Sequence, residues 1–326
     1  MKKLVLAAIL VALAPAVRAQ TTTIKLGTLA PIGSSWHEIL KQMAQRWEQA
    51  SGGAVKLRIY AGGAQGSESD MVRKMGIGQL QAAAITNVGM HDVIPEPQAM
   101  SVPFLIPEDQ LECTFEKVRP SLESALAKRN LVALQWSRVG GIKLFCTEPR
   151  ATPAQMRDAK IWAWEGDPKS VEAFRAAGFR PVVLSATEIV SSLQTGMIDC
   201  VPTVPLYALT ARQHEKADNM MDVTWGYMMG ATLVRKDVWE KIAPDMRTKL
   251  LQIARELGTK VDDEVRRMND DAVTAMRKQG LDVVATDAKA WRSAMDKATP
   301  VIRGGVVPAT FYDEVVKARD ACVAGK

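Results

Sequence analysis

Apolar and polar residues alternate with a period of two in TIKLGTLA (23–30) and AVKLRIY (54–60), the pattern of half-buried strands. Between them, SSWHEILKQMAQRWEQAS (34–51) has the spacing of an amphipathic helix, with Ser34 or Ser35 as its N-cap and Gly52-Gly53 as its stop. A second capped helix, SESDMVRKMGIG (67–78), leads into a strand over QLQAAAITN (79–87). Strand, helix, strand, helix, strand predicts a parallel sheet with crossovers, so an α/β fold. The same signals return in LVALQWSRV (131–139), IKLFCT (142–147), KIWAW (160–164), SVEAFRAAG (170–178) and RPVVL (180–184), with Thr152-Pro153 as a helix start. From Pro244 to about Gly280 the helical pattern is unbroken, about 50 Å at 1.5 Å per residue. Such a helix is too long for one small lobe and is expected to run along two. Two further helices are predicted in 286–302 and 310–323.

The strand KIWAW raises a particular question. Its period sends Trp162 and Trp164 to one face and Ile161 and Ala163 to the other. Either a packed helix or a ligand lies opposite the two indoles.

The segment 71–87 also aligns without a gap on 189–205: Met71 and Met75 match Ile189 and Leu193, Gly78 matches Gly196, and Leu80 matches Ile198. Two unrelated βαβ units or two lobes built on one helix–glycine–strand unit both account for this. In open α/β sheets ligands sit beyond the carboxyl ends of strands. The two-lobe reading therefore puts Thr86 and Asn87 on one lip and Thr203 to Pro205 on the other.

Residues 1–19 carry Lys2 and Lys3, an apolar run and the small residues Val17 and Ala19, the form of a cleaved export signal ending near Ala19/Gln20. Its removal, with Arg18, lowers the formal charge from +6 to +3, too small a bias for a nucleic-acid partner. About 300 remaining residues favour two lobes over one core. The four cysteines, Cys113, Cys146, Cys200 and Cys322, include no CxxC pair, and in an oxidising compartment they allow three connectivities. Cys146–Cys200 with Cys113–Cys322 is the expected pairing, because the first bridge then stays within one region; free thiols remain the alternative. Three histidines without metal spacing, no G-x-S-x-G and no P-loop leave no call for a metal, a cofactor or catalysis.

The segments GTLAPIGSSWHE, GGAVKLRIYAGGAQGSESDMVRKMGIGQLQ, PRATPAQMRDAKIWAW, GFRPVVLSATEIVSSLQTGMIDC and RKDVWEKIAPDMRTKLLQIA resemble the extracytoplasmic solute-binding proteins of TRAP transporters, the DctP-type family. The likeness covers essentially the whole mature chain, and EIVSSLQTGMID is its most specific part. It implies a two-lobed periplasmic binding protein fold, with mixed or parallel sheets, helices on both faces, crossover strands at a hinge and a long spanning helix. It further implies a periplasmic, non-enzymatic and monomeric receptor that closes on a small molecule and delivers it to large and small membrane permease subunits. An importer driven by ATP, or a sensor kinase, is an alternative client, and a secreted α/β enzyme an alternative of another class. The expected lobes are 20–139 with 230–269, which includes the hinge and the long helix, and 140–229 with 270–326.

The family's acid-binding members carry an arginine where this chain has Trp162. A second family arginine falls near Ile142 and Lys143, where Lys143 or Arg138 is the imperfect substitute. The family asparagine falls among Thr203 to Pro205, with one residue inserted. The candidate ligand-binding residues are therefore Trp36, His37, Asn87, Arg138, Lys143, Trp162, Trp164, Thr203, Tyr207 and Trp225, with Glu165 and Asp167 as possible hydroxyl partners. The ligand is expected to be small and polar: an organic acid, a phosphorylated polyol or a polyhydroxyl compound between aromatic walls. Trp47, Trp239 and Trp291 sit at helical spacing and are expected in the core.

Overall fold

A computed structural model of the chain describes residues 21–323, so the expected leader 1–19 lies outside the described residues. Among the described residues ten strands form: β1 (Thr22–Thr28), β2 (Val55–Tyr60), β3 (Ala82–Thr86), β4 (Leu131–Cys146), β5 (Lys160–Trp164), β6 (Arg180–Leu184), β7 (Cys200–Thr203), β8 (Asn219–Met221), β9 (Gly226–Arg235) and β10 (Asp282–Val284). Eight of them follow the spatial order β2-β1-β3-β9-β4-β7-β5-β6, which reads as two mirrored halves, while β8 pairs with β4 and β10 with β8. In one half β2, β1 and β3 run parallel and meet β9 antiparallel; in the other β6, β5 and β7 run parallel and meet β4 antiparallel. The similarity between 71–87 and 189–205 thus corresponds to equivalent positions in two lobes. Gly78 and Gly196 close the two helices at φ +78° and +69°, backbone that glycine adopts without steric cost.

The halves are joined by the antiparallel pair β4–β9. LVALQWSRV and IKLFCT, expected as two strands, are one continuous strand: β9 pairs alongside from Leu131 to Ile142, and β7 takes over at Lys143. Val139 is absorbed as a bulge between Arg138 and Gly140, because the partner strand supplies the ladder on both sides of it.

Each half buries apolar residues on both faces. Ile24 and Leu26 of β1 pack with Met43 and Trp47 of the helix Ser35–Ala50 and with Leu250 and Leu257. Met71, Met75 and Leu80 cover the opposite face with Ile85 and Leu233. In the second lobe Phe145 and Val201 meet Ile189, Leu193 and Met276. Leu144, Cys146 and Ile161 face a cluster containing Phe179, Trp225, Trp291 and Phe311. Residues 99–122, which chain order grouped with the first lobe, send Met100, Leu105, Leu111, Phe115 and Leu122 into that same second-lobe cluster. Trp47, Trp239 and Trp291 are core residues, at 0%, 5% and 0% exposure.

The long helix spans Pro244–Lys278. It touches the first lobe through Trp47 Nε1, which donates to Leu250 O at 2.9 Å, and the second through Leu206 N, which donates to Asn269 Oδ1 at 3.1 Å. The disulfides are Cys113–Cys322 and Cys146–Cys200, the pairing expected from sequence. Cys146 stands directly opposite Cys200 in the β4–β7 ladder, with Cα atoms 4.1 Å apart. No helix among the described residues is long and apolar enough to cross a membrane.

Candidate functional site

The carboxyl ends of β1 and β3 in one lobe, and of β5 and β7 in the other, are where a fold of this kind places a ligand. One ring contact links the loop beyond β3 to the end of β5. His91, just after the short helix Asn87–Met90, meets Trp164 edge to face, with centroids 6.2 Å apart and planes at 87°. Nearby, Glu68 opens the helix Glu68–Gly76, whose start is fixed by a reciprocal Ser67–Asp70 capping box. Its carboxylate turns inward and accepts from Thr86 N at 2.9 Å, Thr86 Oγ1 at 2.8 Å and Gly89 N at 2.8 Å. Burial raises the Glu68 pKa against those hydrogen bonds, and the Asp92 carboxylate adds to the rise. Tyr207, at 47% exposure, comes from the other lobe; partial burial first, and then the Glu68 charge, push its phenol pKa up. These residues bring both lobes to one seam.

Trp162 and Trp164 share a face, as the period predicts, while Ile161 and Ala163 are buried on the other. They differ in surroundings. The Trp162 Nε1 donates to Leu184 O at 3.2 Å, and its side chain packs against the apolar cluster that contains Phe145, Ile189, Leu193 and Val201. Trp164 instead lies over Gly166, where a side chain would collide with the indole, and faces His91 across the seam. Glu165 is exposed. Asp167 is buried and caps the helix Pro168–Ala176, accepting from Ser170 N at 3.0 Å, which occupies it as a helix cap.

Several other candidates have different surroundings from those the sequence suggested. Asn87 is 2% exposed and fully engaged: its Nδ2 donates to Gln98 Oε1 and Ser101 Oγ, both at 3.0 Å, and its Oδ1 accepts from Met229 N at 3.3 Å. It ties the end of β3 to β9. Trp225 is 2% exposed and packs among Phe104, Phe174, Phe179 and Trp291, a core position and not a wall of the seam. Its aromatic type, which suggested a wall, serves the packing of the second lobe.

Arg138 lies in a polar depression between the helix Leu111–Lys128, β4 and the long helix, paired with Glu112 and with Asp262 at 3.5 Å. The Lys143 Nζ donates to Asp222 O at 2.6 Å; burial pulls its pKa down, while Glu108, Asp222 and Asp270 oppose that. Both cations are therefore engaged by groups of the protein itself. Thr203 is buried opposite Lys143 in the β4–β7 ladder.

At the first strand's exit, Ser34 caps the helix by accepting from His37 N. The His37 Nδ1 accepts from Gly33 N at 3.1 Å. Trp36 packs on the first-lobe core, and its buried Nε1 has no hydrogen-bond partner among the described residues. Glu68 and His91 were not among the sequence candidates. An acid in a first helical turn reads as dipole compensation, and nothing local shows that it reaches residue 86. Among the described residues no three His, Cys, Asp or Glu side chains group as metal ligands.

Residues 26–303 match the DctP family, described as bacterial extracellular solute-binding protein, family 7. A solute-binding protein of Chromohalobacter salexigens is 25% identical over 257 residues, covering 77% of this chain and 73% of the relative. The sialic acid-binding periplasmic protein SiaP of Vibrio cholerae is 22% identical over 284 residues, covering 84% and 86%. Among solved structures, a TRAP periplasmic solute-binding protein of Pseudomonas putida F1 with bound D-glucuronate superposes with a TM-score of 0.82 at 22% identity, over 92% of this chain and 97% of that one. One from Desulfovibrio salexigens with bound orotic acid gives 0.84 at 18% identity, over 94% and 99%.

Proposed function

Since the chain belongs to the DctP family of bacterial extracellular solute-binding proteins, we propose that it is the periplasmic receptor of a TRAP-type importer, holding a small polar molecule between its lobes and passing it to large and small membrane subunits. On this reading residues 1–19 direct export, the receptor is a monomer and it performs no chemistry on its cargo. The mirrored half-sheets carry the reading: two sets of strand ends face one seam, with β4, β9 and the long helix running from one half to the other, an arrangement suited to hinge closure.

The relatives that bind sialic acid, D-glucuronate or orotic acid support a small organic acid as the first class to try. The residues of this chain favour a different grip. Trp162 stands at the family's arginine position, and Arg138 and Lys143 already have partners. Recognition then falls to Trp164, His91, Tyr207 and the polar groups around Thr86, which suit a ring or a hydroxyl better than a lone carboxylate.

A thermal-shift panel of uronic acids, aromatic acids, phosphorylated polyols, neutral sugars and aromatic amines tests both points. A ligand at about 100 times its Kd adds about 2.7 kcal/mol, a visible shift in melting midpoint. The expected result is a hit that also lowers the radius of gyration in small-angle scattering. Hits that leave the scattering unchanged overturn closure as the mechanism.

A further inference from the structure

Asn269 lies on the long helix with only 7% of its surface exposed, and its side-chain amide serves three backbone groups. Its Oδ1 accepts from Leu206 N at 3.1 Å; its Nδ2 donates to Val139 O at 3.1 Å and to Val265 O at 2.9 Å. Leu206 belongs to the helix Pro205–Thr210, which follows β7 and carries Tyr207 to the seam. Val139 lies in the β4 bulge, between Arg138 and Gly140, where the strand crosses from one half-sheet to the other. Gly140 has φ +150°, and a Cβ there would sit 2.8 Å from the Asn269 Nδ2, so the glycine leaves room for the amide. Seven residues earlier on the same helix, Asp262 accepts from Arg138 N at 2.8 Å. The helix therefore holds β4 at two successive residues, Arg138 and the bulged Val139.

Asparagine is a poor helix former, and a buried amide is costly unless its hydrogen bonds are made. Here the position is occupied by a residue whose bonds join the long helix, a crossover strand and a second-lobe helix. We propose that Asn269 is the positioning residue about which the lobes turn, setting the relation of the Tyr207 segment to the first lobe from outside the ligand site. The inference rests on the reading that the lobes close, but its test needs no ligand.

Asn269→Ala keeps helix propensity while removing all three bonds. In hydrogen exchange of the ligand-free protein, the Leu206 amide should exchange about tenfold faster or more. Exchange at residues 140–141 should rise with it, and the radius of gyration should shift while far-UV circular dichroism is retained. Asn269→Asp keeps an acceptor for Leu206 but sets a carboxylate against the Val139 carbonyl. It should release the strand and leave Leu206 protected, and it decides the matter if the alanine variant fails to fold. Faster exchange at Leu206 alone, with scattering unchanged, would make Asn269 a helix cap and overturn the proposal. Unchanged exchange at both places would overturn it as well. Failure of the wild-type protein to compact with a ligand that stabilises it counts against lobe closure itself, a separate result.

Discussion

Replacing Cys113 and Cys322 together by serine removes the bridge between the helix Leu111–Lys128 and the C-terminal helix Ala309–Val323. Its half-cystines are 209 residues apart, and the Cys146–Cys200 bridge, with a separation of 54, lies inside that loop. With the inner bridge intact, the unfolded variant regains the freedom of a loop of about 155 residues, and the loop-closure relation assigns this about 5 kcal/mol at 25 °C. Losses on removing native bridges run from about 2 to 5 kcal/mol, and the structure argues for the upper half of that range. The two helices remain joined by Ser121 Oγ, which donates to Glu314 at 2.6 Å, and by Phe311, Val315 and Ala318 against Phe115, Val118 and Leu122. The native state thus keeps its geometry, and the loss falls on the unfolded chain. Urea unfolding of the oxidised wild type and of the double-serine variant, followed by tryptophan fluorescence, measures it. The expected result is one cooperative transition at a lower midpoint, with a slope no smaller than that of the wild type. A difference below about 1 kcal/mol would refute the loop argument. So would a separate early transition of shallow slope, because the C-terminal helix would then be detaching on its own.

Two further perturbations probe the seam and the crossover. Burial raises the folded-state pKa of Glu68 above the ordinary glutamate range, so its contribution to stability is fully present below the unfolded-chain value and is lost as pH rises through the folded pKa. Glu68→Gln should flatten that fall in the melting profile; parallel wild-type and variant profiles would show that Glu68 does not titrate differently on folding. At Gly226, the first residue of β9, a Cβ would meet Ser101 O at 2.6 Å and Ser101 C at 2.8 Å, backbone atoms that cannot rotate away. Gly226→Ala should cost about 1–3 kcal/mol in urea unfolding, and a variant as stable as the wild type would contradict that packing.

Periodicity and capping determined the local elements because both act within a few residues. The Ser67 cap, the left-handed glycines at 78 and 196, the unbroken helix from Pro244 and the shared face of Trp162 and Trp164 were all legible in the chain. The repeat between 71–87 and 189–205 also pointed correctly to two related lobes, since equivalent units bury equivalent apolar positions. Tertiary structure decided what lies opposite each face. Alternation places an indole on one side of a strand but does not say what covers it: an apolar cluster of the second lobe meets Trp162, His91 reaches Trp164, and three phenylalanines and Trp291 surround Trp225. Polar groups behave in the same way. Arg138 finds Glu112 and Asp262, Asn87 finds Met229, and Asn269 finds Leu206, partners from 26 to 142 residues away. Such pairs are chosen by the folding of distant segments against each other, and no local pattern in the chain carries them.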